Sequence, residues 1–329
     1  MHASPPDPWP LALRGPSAAA SRARAAFLAA ADSRGAALIV ADRGLEAEAI
    51  ASALHDRSRP GLPLIVIDCA APEDDVDGWI FGKVSRGDAH AELVAVGADS
   101  AFVRARGGTI YLKQILELPA ATQRRLARVL RDSEVMTAGR RVRVKARIVS
   151  DAPASVTTDV RDGQLRSDLF RRLSQMRVEV PALRERPGDM REVAGALASQ
   201  LRAGPPAVFT QAALTVLAAP AWPGNLDELR LVLDRVLRAA PLDTIKAIRQ
   251  EDVLAHLPLD GAFARMAPAI SLREARRQFE REYIASVLER HRWRMSEAAR
   301  TLGIERANLY RKTRQLGILR RASAAHVAS

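Results

Sequence analysis

The chain has 329 residues, enough for two or three domains, and is rich in Ala, Leu and Val but only 4% aromatic. Its formal net charge is +12, yet all its basic residues except Lys83, Lys113, Lys145, Lys246 and Lys312 are arginine, a compositional bias that makes the total a weak guide to partners. Position is a better guide: residues 271–321 hold fourteen Arg/Lys against six Glu, a net of +8, and such clustering points to a polyanion partner.

Residues 1–20, rich in Pro and Ala, read as a flexible tail. The stretch "SAAASRARAAFLAA" lacks the continuous apolar core of a signal peptide and reads as an amphipathic surface helix. From there to about residue 200, short apolar runs alternate with helical patterns. "AALIVA" (36–41), "PLIVID" (63–68), "GTIYL" (108–112) and "VKARIVSD" (144–151) have the look of buried parallel strands. "GLEAEAIASALHDRS" (44–58) and "PAATQRRLARVLRDSE" (119–134) have helical spacing, with Pro119 suited to a first turn. Such alternation predicts a parallel α/β sheet. Cys69, the single cysteine, sits in the apolar "LIVIDCAAP"; it excludes an internal disulfide, reads as structural and fits a reducing cytosol. No apolar run approaches the ~20 residues needed to span a bilayer.

Residues 187–257 read as a small helical subdomain broken at "AGPP" (203–206) and "PAWPGN" (220–225), and 258–270 as a linker. Ser271 with Glu274 forms a capping box for a helix whose apolar stripe comprises Leu272, Ala275, Phe279, Tyr283 and Val287, widened by Ile284 and Leu288. That helix is too apolar on one side to stand alone, and a second copy of the chain would cover it.

"MSEAARTLGIERANLYRKTRQLGI" (295–318) reads as a helix-turn-helix: Ser296 as N-cap, Gly303 at the turn, Ile304 between the helices and Gly317 as stop. Ala298, Ala299, Leu302, Ile304, Leu309 and Leu316 form the inner side. Arg306, Tyr310, Arg311 and Arg314 face outwards, flanked by Asn308 and Lys312. These long donors suit DNA, because an Arg fork takes guanine O6/N7 and the other cations neutralise phosphates. "SEAARTLGI" followed by "LYRK" resembles the Fis-type helix-turn-helix at the C-terminus of sigma-54-dependent activators, the bacterial enhancer-binding proteins. The resemblance implies a dimer built on the 272–290 helix and a recognition helix in the major groove; Glu305 departs from the small polar residue of the family pattern, so base preference stays open.

The resemblance extends over about 35–257. "RARGGTIYL", "LPAATQRRLARVLRD", "LRSDLFRRL", "VPALRERPGDM" and "WPGNLDEL" are close to signatures of that family's AAA+ ATPase domain, so the fold class implied is an AAA+-like α/β sheet with a helical lid, followed by an all-α Fis-type module. The chemistry departs from the pattern. A phosphate loop needs glycines around a lysine; the matching "ADRGLEAE" (41–48) keeps only Gly44, with Glu46 in place of a glycine and Ala47 in place of the lysine. The two acids that handle magnesium and water align with Lys113 and Gln114, and Lys113 is no ligand for a hard cation. "VSDA" (149–152) lacks the family's sensor Asn, and Asp227 stands where an arginine normally reaches the nucleotide. Arg166 and Arg172 persist at the arginine-finger positions, where an ion pair within or between subunits is the expected role. The segment aligned with the sigma-54 contact loop, "FGKVSRGDAHAELVAVG" (81–97), keeps Phe81 and Gly82 but has no Phe-Thr pair.

The expected organisation is therefore a tail (1–20), a degenerate AAA+-like domain (21–186), a lid (187–257), a linker (258–270) and the DNA-binding module (271–321). The expected function is a cytoplasmic, nucleoid-associated, sequence-specific DNA-binding regulator that is not an enzyme and needs no cofactor or metal. Double-stranded DNA is its main partner; a homodimer or higher oligomer, RNA polymerase or a homologous regulator are further ones, and a membrane is not. With no receiver domain expected before residue 36, control falls to expression, a partner or a ligand in the vacated cleft. The alternatives are a regulatory subunit in mixed rings with active homologues, lending Arg166 and Arg172, and an atypical ATP-dependent sigma-54 activator.

Overall fold

The computed structural model describes residues 9–84, 93–202, 206–239, 247–257, 284, 287, 288, 295–302, 304, 306–316 and 318. The chain divides into two compact units, residues 1–256 and 257–329, each described by itself.

In the first unit, the strands are β1 (Ala37–Val40), β2 (Leu64–Asp68), β3 (Thr109–Lys113), β4 (Glu134–Thr137), β5 (Arg140–Arg143), β6 (Arg147–Ala152) and β7 (Met176–Glu179). Helices α1 (Ala18–Asp32), α2 (Ala47–Ser58), α3 (Glu73–Phe81), α4 (Ala101–Arg104), α5 (Ala120–Asp132), α6 (Val156–Arg161) and α7 (Ser167–Leu173) alternate with them. Five strands form one parallel sheet in the order β2-β3-β6-β1-β7, and β4 and β5 form a separate antiparallel hairpin. β1 and β6 are buried at every position, as a parallel strand covered on both faces must be. The expected strands and both expected helices are present, with ends shifted by at most three residues.

The lid follows: α8 (Met190–Leu201), α9 (Gln211–Ala218), α10 (Asn225–Ala239) and α11 (Gln250–Leu254). α10 buries Leu226, Leu229, Val232, Leu233, Val236 and Leu237 on one face. Each such Leu or Val contributes about 1.5–3 kcal/mol by leaving water. The turn before α10 uses two non-glycine residues with positive φ, Trp222 (47°) and Asn225 (47°). Both are fully buried; the Trp222 indole N–H donates to the Leu217 carbonyl at 2.8 Å.

One expectation needs correcting. Residues 9–20, taken as part of the flexible tail, are packed. Leu11, Ala12 and Leu13 are buried, Trp9 meets Phe27 edge-on at 5.5 Å, and Ser17 caps α1 while its backbone N–H and hydroxyl donate to buried Asp189. The Pro/Ala composition hid this, because the anchoring partner lies 172 residues away. Residues 1–8 lie outside the described residues, as do the linker 258–270 and the Ser271/Glu274 capping box.

In the second unit, helices Met295–Thr301 and Arg306–Gln315 form the expected pair. Ala298, Ala299, Leu309 and Leu316 are buried between them, with Leu302 and Ile304 packed alongside. Ile284, Val287 and Leu288 belong to the same cluster. These three stripe residues are thus used inside the chain, against the helix pair. Leu272, Ala275, Phe279 and Tyr283 lie outside the described residues, as do the turn residues Gly303 and Gly317.

Candidate functional site

The stretch aligned with a phosphate loop runs from the end of β1 into α2, at the C-terminal end of the sheet, where open α/β folds place their ligands. Gly44 has φ +81°, and a Cβ there would meet the Gly224 carbonyl oxygen at 2.1 Å. The glycine is needed because the lid's backbone lies against it. Leu226 N–H donates to the Gly44 carbonyl at 3.0 Å, and the Asn225 amide donates to the Arg43 carbonyl at 2.9 Å. The Asn225 side-chain oxygen accepts from Leu183 N–H at 3.1 Å. Asn225 therefore ties loop, lid and the segment after β7 together.

Glu46 is the N-cap residue of α2 and adopts the left-handed conformation (φ 51°, ψ 45°). Its carboxylate pairs with the Arg230 guanidinium on α10, both side chains being mostly buried. Ala47 opens α2 and offers no charge. Asp227 is exposed in the first turn of α10, where the helix dipole favours an acid, and Glu228 caps the Gly224 N–H at 2.9 Å. The arrangement joins an anion of the loop to a cation of the lid by direct contact.

Lys113 and Gln114 occupy the exit of β3, where the strand register sets Lys113 beside Asp68 of β2. The Lys113 ammonium lies 3.4 Å from Glu48 and 4.0 Å from Asp68. Gln114 takes the left-handed conformation (φ 54°), and its backbone N–H donates to Asp151 at 3.0 Å while its side chain is exposed. Beneath it, the Tyr111 hydroxyl donates to the same Asp151 oxygen at 2.6 Å. Burial raises the Asp151 pKa, opposed by the Tyr111 and Gln114 hydrogen bonds and the Lys113 charge. Burial, and then Asp151, push the Tyr111 hydroxyl up as well. Cys69 is buried as expected, its thiol pushed up to about 12 by burial and by Asp151 and Asp68. Among the described residues, no group of three or more His, Cys, Asp or Glu is placed to hold a metal ion.

Arg166 makes a two-pronged contact with Asp168 at 3.0 Å on the surface, and Arg172 donates to the Leu130 carbonyl at the end of α5. Both engage their own domain. Residues 85–92 of segment 81–97 lie outside the described residues.

On the C-terminal pair, Arg306 and Arg311 are exposed and Asn308 and Lys312 half-exposed on the second helix. The Arg311 guanidinium donates to the Asn308 side-chain oxygen at 3.1 Å, which holds the fork in place. The side chains of Tyr310 and Arg314 lie outside the described residues.

Residues 13–179 match the family model of the sigma-54 interaction domain, and residues 275–321 match that of the Fis family of bacterial regulatory proteins. The chain belongs to the sigma-54 interaction domain family. This sigma-54-family chain is 33% identical over 308 residues to the regulatory protein LuxO of Vibrio cholerae, covering 85% of the chain and 57% of LuxO. To the anaerobic nitric oxide reductase transcription regulator NorR of Klebsiella pneumoniae it is 34% identical over 297 residues, again covering 85% and 57%. It thus spans a little under three fifths of these relatives. The crystal structure of NtrX from Brucella abortus in complex with ATP superposes with a TM-score of 0.61 at 30% identity, covering 93% of this chain and 69% of NtrX.

Sequence reasoning singled out Glu46, Lys113 and Gln114 but missed the groups that answer them: Arg230, Glu48, Asp68 and Asp151. Arg230 had a signal, since it lies three residues after Asp227 on one helix and so on the same side of it.

Proposed function

We propose that this chain is a DNA-binding transcription regulator whose AAA+-type core works as a scaffold and not as an ATP-driven motor. The observation that carries this reading is the Glu46–Arg230 contact. A carboxylate of the loop, already matched by a lid arginine, faces the position where phosphates would need N–H donors and an ammonium. The Lys113 ammonium between Glu48 and Asp68 supports the same conclusion for magnesium. These residues do not suit a magnesium nucleotide, and no catalytic step is assigned to them. Replacement of both acids and the loop lysine removes the charge stabilisation that phosphoryl transfer depends on.

The output end also differs from the family pattern. Segment 81–97 has no Phe-Thr pair, which supports regulation by a route other than remodelling sigma-54. The helix pair, by contrast, keeps its apolar seam and its exposed arginines. Genome-wide mapping of bound sites would supply the operator. Binding to it should be salt-sensitive and lost on joint Arg306→Ala and Arg311→Ala replacement, while the purified chain shows no Mg-ATP turnover. Salt-insensitive binding that survives the double replacement would overturn the DNA assignment; Mg-ATP turnover, or tight magnesium-dependent ATP uptake by calorimetry, would overturn the scaffold assignment.

A further inference from the structure

The β4–β5 hairpin carries a charge pattern that neither the sheet nor the lid uses. Its two-residue turn, Ala138-Gly139, has positive φ at both positions (47° and 71°), the geometry that joins two strands without splaying them. Four residues of each strand are paired, from Glu134 opposite Arg143 to Thr137 opposite Arg140.

The inner strand is anchored. Val135 is buried, Met136 exchanges backbone hydrogen bonds with Val94 and Val96 at 2.9 and 2.8 Å, and Val144 N–H donates to Ser133 at 2.9 Å. The outer strand β5 is exposed at every position, and it reads Arg-Arg-Val-Arg, followed after Val144 by exposed Lys145. Between residues 134 and 145 there are four cations and one acid, Glu134, which lies 3.6 Å from Arg141. The net +3 sits on a ribbon about 13 Å long, at ~3.3 Å per residue, and on Lys145 just past its end.

An edge strand needs only a charge or two to discourage pairing with another sheet. Four cations with a single acid exceed that need. Side chains alternate along the strand, so Arg143 and Lys145 lie on the face that Arg141 and Glu134 share, and Arg140 lies beside the turn on the other. The phosphate-binding donors thus stand on both faces of an element narrow enough for a DNA groove, since a two-stranded ribbon fits the major groove. We propose that the β4–β5 hairpin is a second DNA-contact surface, on the core and separate from the helix pair, binding the phosphate backbone through Arg140, Arg143 and Lys145. This rests on the reading that the C-terminal helix pair holds DNA. A duplex already held by the helix pair of the same chain meets the hairpin as an intramolecular event, so a few phosphate contacts there add to an affinity that already exists.

The test uses the full chain and a 60-base-pair duplex of mixed sequence, with binding followed by fluorescence anisotropy over a range of KCl concentrations. Arg140→Gln with Arg143→Gln removes two exposed cations and leaves the Arg141–Glu134 contact in place. The slope of log affinity against log salt should become shallower by about 1.8, at ~0.9 for each phosphate no longer neutralised. Arg306→Ala with Arg311→Ala should abolish strong binding whether or not the hairpin participates. If that pair abolishes binding while the hairpin pair leaves affinity and slope unchanged, the hairpin proposal fails and the helix-pair reading stands. If the reverse holds, the helix-pair reading fails.

A photo-cross-linking residue at exposed Val142, in the otherwise unaltered chain, gives a readout that does not depend on the stability of the glutamine variant. It should label the duplex. A cross-link only to added RNA polymerase, with none to DNA, would overturn the proposal.

Discussion

The Glu46 carboxylate on the loop after β1 and the Arg230 guanidinium on α10 form an ion pair across the junction of core and lid. Each side chain is mostly buried, so neither is well solvated without the other. Removing Arg230 alone leaves a half-desolvated carboxylate and should destabilise the chain by roughly 1–3 kcal/mol. Glu46→Ala with Arg230→Ala should cost less than the two single losses together, and the exchange Glu46→Arg with Arg230→Glu should restore part of the stability. Urea melts of the parent, the two single variants, the double alanine variant and the exchange variant check this. Strict additivity would show that the two groups do not interact.

The same junction predicts a contrast between two glycines. Gly44 and Gly61 both have positive φ, +81° and +74°, so alanine at either position incurs a similar backbone cost of about 1 kcal/mol. At Gly61 a Cβ meets nothing within 4 Å; at Gly44 it meets the Gly224 carbonyl at 2.1 Å. Gly44→Ala should therefore lower stability well beyond Gly61→Ala, and the excess measures how tightly the lid is held. Equal melting temperatures for the two variants would mean that the lid moves away from the loop at little cost.

Asp151 ties stability to pH. Burial raises its pKa in the folded chain, and the Tyr111 hydroxyl, the Gln114 amide and Lys113 only partly offset this. The unfolded chain releases its proton near the ordinary Asp value of about 3.9. As pH rises from there through the folded-state value, the folded chain holds its proton longer, so this group's contribution to stability falls and then levels off. Asp151→Asn keeps an acceptor for Tyr111 and Gln114 but does not ionise. The stability of the Asn variant minus that of the parent should rise with pH across this window, on top of any constant offset. Thermal melts from pH 3.5 to 7.5 check it; a flat difference would mean that Asp151 titrates as a solvated carboxylate.

The sheet was legible because buried parallel strands are continuous apolar runs, and "AALIVA" or "GTIYL" has little alternative. The edge strand β7, "MRVE", was missed because an edge position admits exposed Arg177 and Glu179, which erase the run. The β4–β5 hairpin was missed for a related reason: its outer strand is exposed throughout and has no apolar face. At the site, the departures from the family pattern were visible residue by residue, because a reversed charge shows in the sequence itself. Their compensation was not. Glu46 and Arg230 are 184 residues apart, and only the approach of lid to core shows that the acid is answered by a base.

The helix pair yields a last prediction. Arg311 is exposed, and its guanidinium is steadied by Asn308 at 3.1 Å. An arginine that reads a guanine edge contributes about 1–3 kcal/mol of base discrimination, through a planar fork that lysine lacks. Arg311→Lys should thus lose discrimination at one operator position while retaining most non-specific affinity. Asn308→Ala removes only the brace, so it should weaken specific binding less than Arg311→Ala does and leave the salt slope almost unchanged. Affinities of the three variants for the operator and for its single-base substitutions separate these effects. Uniform weakening on every sequence, with a slope reduced by about one, would place Arg311 on a phosphate instead.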